Sequence, residues 1–215
     1  MTRARYVVAI ALVAGALIVT IVAYPHLGNS IPVHVNFHGQ IDRYGPRWML
    51  FLLGPGVMLG MVVLFAVLPW LSPKHFEVDA FRSTCARIML IVVAMFGYFY
   101  GVMVWAALGH TANLARATFG GVCLLVALLG NLMGKVRRNF YIGVRTPWTL
   151  ANERVWSGTH RFAGKSFVAG GLLGLGLALA GFAGWPAIVA LGTGLLAPVA
   201  YSLVFYKKLE RRGEL

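Results

Sequence analysis

Five stretches of this 215-residue chain run without a charged side chain for about the length of a bilayer crossing. They are Tyr6 to Tyr24, Trp48 to Pro73, Ile88 to Ala115, Ala117 to Gly134, and Ser166 to Tyr206. A helix needs about 20 apolar residues to cross a hydrocarbon core of about 30 Å. The last stretch is long enough for two crossings, and Gly184-Trp185-Pro186 in its middle is a turn signal carrying an interfacial aromatic. The expectation is an all-α polytopic membrane protein of six transmembrane helices. Strands of a membrane barrel alternate apolar and polar residues over about ten positions, whereas these windows are continuously apolar. Charged residues make up 12% of the chain and apolar ones 59%, with 26 glycines besides. That leaves too little polar surface for a soluble globule and too much apolar surface for a disordered chain.

The net charge of +13 would suggest nucleic acid in a soluble protein. Here topology accounts for most of it, because basic residues collect in cytoplasmic loops. With the N-terminus inside, sixteen fall on the inner side: Arg3, Arg5, Lys74, Arg82, Arg87, Lys135, Arg137, Arg138, Arg145, Arg154, Arg161, Lys165, Lys207, Lys208, Arg211 and Arg212. Three fall outside, Arg43, Arg47 and Arg116. Both termini are therefore expected in the cytoplasm, and no direct nucleic-acid binding is expected.

The apolar run after Arg3 and Arg5 is too long for a signal peptide and lacks a small-x-small site before His26, so it reads as a retained first helix. Cys85 and Cys123 are read as packing residues. No Asp, Glu, Lys or Arg lies mid-span, which argues against a proton-coupled pump with a midplane carboxylate. Gly170, Gly174 and Ala178, with Gly171 alongside, form a small-residue stripe expected to pack closely on a neighbouring helix. The two halves show no repeat of the kind many transporters carry.

The one sizeable outer segment is Pro25 to Pro46, PHLGNSIPVHVNFHGQIDRYGP. As an extended strand it would place His34, Asn36 and His38 on one face and Val33, Val35 and Phe37 on the other, and a turn at Gly39-Gln40 would bring Asp42 back towards the polar face. Three readings follow: a hydrogen-bonded cap over the bundle, a recognition surface for a peptide or ligand through His34, Asn36 and Asp42, or a metal held by His34, His38 and Asp42 with His26 as a fourth ligand. The spacing is no recognised zinc signature, and no metal or other cofactor is expected. Asp42 is the single outer carboxylate, so no two-carboxylate mechanism can be assembled there.

Lys135 to Lys165, KVRRNFYIGVRTPWTLANERVWSGTHRFAGK, carries seven basic residues and one acid, Glu153. Thr146-Pro147 reads as an N-cap with proline at the first helical position, opening a helix to about Phe162. On it Glu153, Trp156 and His160 share a face and Arg154 and Arg161 another. The plainest reading is an amphipathic helix at the inner interface, with Trp148 and Trp156 at headgroup depth and arginines towards anionic lipid. A sharper one makes Lys135, Arg137, Arg138 and Arg145 an anion or partner site. Catalysis by Glu153 with His160 is sterically conceivable, though no nucleophile or metal motif accompanies them.

These two loops together resemble the SdpI family of bacterial membrane proteins. The resemblance rests on Asn131, Lys135, Asn139, Gly143, Arg145, Thr146, Pro147, Thr149, Leu150, Trp156, His160 and Arg161 in the inner loop and its flanks. The outer loop is similar to the small uncharacterised domain usually fused ahead of that family, through Ile31, Pro32, His34, Asn36, Gly39 and Asp42. Gly28 and Arg47 depart from the pattern, and His38 is not part of it. The resemblance implies immunity to a secreted toxic peptide outside and capture of a small cytoplasmic transcriptional repressor inside, in a multi-pass protein of the bacterial plasma membrane.

The expected division is 1–71 (first helix, outer loop 25–46, second helix), 72–134 (third and fourth helices, with an inner loop at 72–87), 135–165 (basic loop with the interfacial helix), 166–206 (fifth and sixth helices) and 207–215 (basic cytoplasmic tail). The functional expectation is a non-enzymatic immunity or receptor protein. A lipid or peptide transporter or flippase, or a membrane enzyme using Glu153 and His160, is the alternative.

Overall fold

The computed structural model describes residues 2–71 and 81–215. Six helical segments in it are long and apolar enough to cross a membrane: Thr2–His26, Met49–Leu71, Arg82–Ala107, Leu114–Met133, Glu153–Leu179 and Trp185–Arg211. Lys74 and most of the expected 72–87 loop lie outside the described residues. Arg82 and Arg87 belong to the fourth α-helix.

In chain order, α1 (Thr2–Ala23) leads through a short 3-10 turn to an antiparallel hairpin of β1 (Ser30–Val35) and β2 (Ile41–Pro46). The second crossing begins as α2 (Met49–Phe51), widens into a π-type turn over Leu52–Gly56, and continues as α3 (Val57–Leu71). The widening falls at Pro55, which has no N–H to give the helical ladder and whose ring would crowd the carbonyl one turn back. Beside it, a Cβ on Gly54 would lie 2.5 Å from the ring of Tyr100, so glycine lets the fourth helix press against this turn. Next come α4 (Arg82–Ala107), α5 (Leu114–Met133), the short α6 (Pro147–Ala151), α7 (Glu153–Leu179) and α8 (Trp185–Arg211).

Two packing groups result. In the first, α1 and α3 lie against α4. Within it Thr20 meets Tyr100 at 2.5 Å, both buried. Thr20 gives its hydroxyl proton to the Ala16 carbonyl, so Tyr100 donates to Thr20 and no polar group is left bare. In the second, α7 lies between α5 and α8. A Cβ on Gly170 would come within 2.9 Å of the Gly194 Cα, and one on Gly171 within 2.8 Å of the Ala127 nitrogen. The small stripe thus packs on both neighbours, which is how helices gain dispersion contact where lipid offers no hydrophobic drive. Cys123 fills the space beside Gly174, and Cys85 is buried in the other group. Both are free thiols, as their reading as packing residues requires.

Side-chain contacts gather the N-terminus of α1, the ends of α3 and α4, the 134–152 segment and the C-terminal tail at one end of the bundle. Arg5 donates to Ser83, Tyr141 to the Leu71 carbonyl, and Arg154 pairs with Glu214. The hairpin lies at the other end.

Candidate functional site

At the hairpin end, Asn36 builds the turn. Its Oδ1 accepts the backbone N–H groups of His38 and Gln40 at 2.9 and 3.0 Å, and Gly39 takes a φ of +76°. The chain reverses there, and Asp42 returns to His34, whose Nδ1 lies 2.5 Å from the Asp42 carboxylate. This hydrogen bond holds the Asp42 carboxyl below the usual aspartate value. The expectation that His38 shares a face with His34 fails, because β1 ends at Val35 and the Asn36 turn bends the chain away before His38. No three metal-ligating side chains come together among the described residues, so the His34, His38 and Asp42 grouping is not formed.

The hairpin covers both packing groups. A Cβ on Gly39 would overlap Ala115 at the start of α5, Phe37 meets the Trp185 ring at 5.4 Å, and Ile31 is fully buried. Under it lies an apolar cavity of about 370 Å³, roofed by Val33, His34 and Val35 and walled by Leu53, Phe96 and Tyr100. Sequence reasoning missed this cavity. Gly54-Pro55-Gly56 within a span was the available sign, because it marks where the π-type turn sets Leu53 into the cavity wall.

At the loop end, the motif residues mostly hold the chain to itself. Asn139 is fully buried and uses its whole amide. It donates to the carbonyls of Arg137 and Ile142 at 2.8 and 3.1 Å and accepts from the N–H groups of Tyr141 and Ile142, both at 2.7 Å. Thr146 caps α6 through a reciprocal capping box with Thr149, as the Thr-Pro pair predicts. That helix does not run on to Phe162. It stops at Ala151 because Asn152 takes an extended conformation and accepts from Arg154 and Val155, opening α7, which continues unbroken through the fifth crossing.

Trp156 accordingly does not face lipid headgroups. It is 1% exposed, stacks on His160 at 3.9 Å, and donates from Nε1 to the Val136 carbonyl. The His160 Nε2 accepts the Val144 N–H at 3.0 Å, while Nδ1 lies 2.9 Å from the Trp156 carbonyl, which fixes the proton on Nδ1.

Arg138 donates to the Leu150 carbonyl at 2.9 Å and lies 3.3 Å from the Glu153 carboxylate, and Arg145 donates to the Phe140 carbonyl. Glu153 and His160 are therefore not brought together as a catalytic pair. Lys135, Arg137, Arg161 and Lys165 are among the expected inner cations exposed at this end.

Comparison with known proteins agrees with the motif resemblance. Residues 135–202 match the SdpI/YfhL protein family, and residues 11–59 match a domain of unknown function, DUF1648. The chain is 27% identical over 169 residues to the Immunity protein SdpI of Bacillus subtilis (strain 168), a match covering 79% of each. No solved structure matches the chain.

Proposed function

We propose that this chain is an immunity-type protein of the bacterial plasma membrane, with both termini cytoplasmic, whose hairpin end meets a secreted toxic peptide. The observation that carries the reading is the apolar cavity of about 370 Å³ beneath the hairpin. It is a concave apolar site edged by the exposed His34, which pairs with Asp42, and a membrane-active peptide has apolar side chains to place in it. The likeness to an immunity protein supports the same choice. His34 and Asp42 recognise the peptide's polar groups, while Asn36 sets the turn that presents them.

The second half of the reading is capture of a small transcriptional repressor at the loop end. Exposed Lys135 and Arg137 favour an acidic partner face. Arg145 is exposed beside them, and Arg138, Asn139, Thr146, Trp156 and His160 support that surface from beneath. A transporter is favoured less: the hairpin cavity and the groove at the loop end share no lining residue, and the α7 and α8 backbones touch at Gly170 and Gly194.

The test is survival of a toxin-sensitive bacterium expressing the chain under challenge by secreted peptides. Protection by the wild type, lost in Ala106→Trp, which would fill the cavity from α4, supports the reading. Protection that survives Ala106→Trp and His34→Ala alike removes the hairpin end as the recognition site.

A further inference from the structure

A groove of about 910 Å³ opens between the loop-end halves of α5, α7 and α8. Its floor is a close helix contact, where a Cβ on Gly130 would lie 2.7 Å from the Phe167 Cβ. Gly130 on α5, Gly134 just past its end, and Gly158 and Gly164 on α7 line it, and Gly158 leaves room for the Phe205 ring, which a Cβ would meet at 2.3 Å. Phe162, Tyr201 and Phe205 stack in series along one wall, at 4.3 and 5.5 Å between ring centres.

Two cations stand on its rim. Arg161 and Lys165 are four residues apart and share a face of α7, and Asn131 faces the same groove from α5. Neither cation has an ion pair or hydrogen bond among the described residues. The described carboxylates are engaged elsewhere: Asp42 with His34, Glu153 with Arg138, Glu210 with Lys207, and Glu214 with Arg154. An apolar groove edged by two unneutralised positive charges calls for an anion with an apolar body.

The depth of the groove agrees. Lys165 is the last charged residue before a run that is free of charge to Tyr206, and on α5 the charge-free run ends at Gly134. Glu153–Leu179 has 27 residues, about 40 Å of helix against a hydrocarbon core of about 30 Å. Arg161 and Lys165 therefore sit near the inner edge of the hydrocarbon, from where their long side chains reach the lipid phosphates, and Val168 and Ala169 extend the groove towards the membrane interior.

We propose that this groove binds an anionic phospholipid, its phosphate between Arg161 and Lys165 and part of an acyl chain along the glycine-lined floor. Arginine's planar fork suits phosphate oxygens, and basic pockets between transmembrane helices are suited to phospholipid headgroups. The site is separate from the hairpin cavity and from the proposed repressor surface at Lys135 and Arg137.

The test is native mass spectrometry of the full chain, purified in detergent and stripped of lipid, then titrated with phosphatidylglycerol, phosphatidylcholine or inorganic phosphate. Phosphatidylglycerol adducts are expected at about tenfold lower concentration than phosphatidylcholine adducts, a preference that Arg161→Gln with Lys165→Gln removes. Gly134→Leu keeps both cations and extends into open groove, since a Cβ there meets only the Arg161 Cγ at 3.9 Å. It is expected to lose the lipid adduct as well. Equal adduct populations in wild type and both variants overturn the proposal, as does equal binding of the two lipids. Displacement of the lipid by millimolar inorganic phosphate overturns the acyl-chain part.

Discussion

Gly143 faces the His160 imidazole so closely that a Cβ on it would lie 2.1 Å from Nε2. The same residue has a φ of +119°, which side-chain-bearing residues rarely adopt. Two constraints meet on one position, and both serve the hydrogen bond from the Val144 N–H to His160. Gly143→Ala is expected to cost about 2–4 kcal/mol, from backbone strain and loss of that bond. It should lower the thermal midpoint in detergent and expose the 134–147 segment to limited proteolysis. An unchanged midpoint and cleavage pattern would show that His160 does not hold this segment.

The helix pair α7 and α8 offers an internal control. Gly170→Leu pushes a side chain into the Ala190 carbonyl and the Gly194 Cα, whereas a Cβ on Gly176 meets nothing within 4 Å. The first is expected to destabilise by about 2 kcal/mol or more through overpacking, and Gly176→Ala to be neutral or stabilising by up to about 1 kcal/mol. Thermal melts of the two variants in one detergent check the contrast. Equal effects would mean that the close approach at Gly170 does not limit the packing.

Lengths free of charge make the six crossings legible in the sequence, and the small stripe at Gly170 and the Thr146-Pro147 cap are legible because each is a local signal with one mechanism. The limits of α7 are not. Glu153, Arg154, Arg161 and Lys165 fall outside a charge-free window, yet a helix longer than the hydrocarbon core carries the first two beyond it, and the long side chains of the other two reach back to its edge. Nor does the sequence near Trp156 reveal that the 136–144 segment folds over it. Amphipathic spacing is the same for a face turned to lipid headgroups and one covered by a distant loop. His38 illustrates the converse. Alternation with His34 is real in the sequence, and one Asn36 turn cancels it in space.

Neighbouring arginines differ in what they touch. Arg138 donates to the Leu150 and Ala151 carbonyls and pairs with Glu153, while Arg137 is exposed. Arg138→Gln is expected to lose about 1–3 kcal/mol of stability. Arg137→Gln should stay within about 0.5 kcal/mol of wild type while losing co-purification of an acidic-faced repressor. Pull-down beside a thermal melt separates the two, and an unaltered pull-down with Arg137→Gln removes that residue from the partner surface.

The His34–Asp42 pair gives the hairpin a dependence on pH whose sign can be worked out. The hydrogen bond from His34 lowers the Asp42 carboxyl in the folded protein, so its contribution is fully present above the ordinary aspartate value of about 3.9. As pH falls through the lowered folded value, the carboxylate takes a proton and that contribution disappears. Carboxyl-carbon NMR of the detergent-solubilised protein should place the Asp42 midpoint below that of a model aspartate. In His34→Ala it should move back up, because the leading cause of the shift is gone. If the two midpoints coincide, the contact is not formed in solution, and recognition of a peptide by the pair loses its geometric basis.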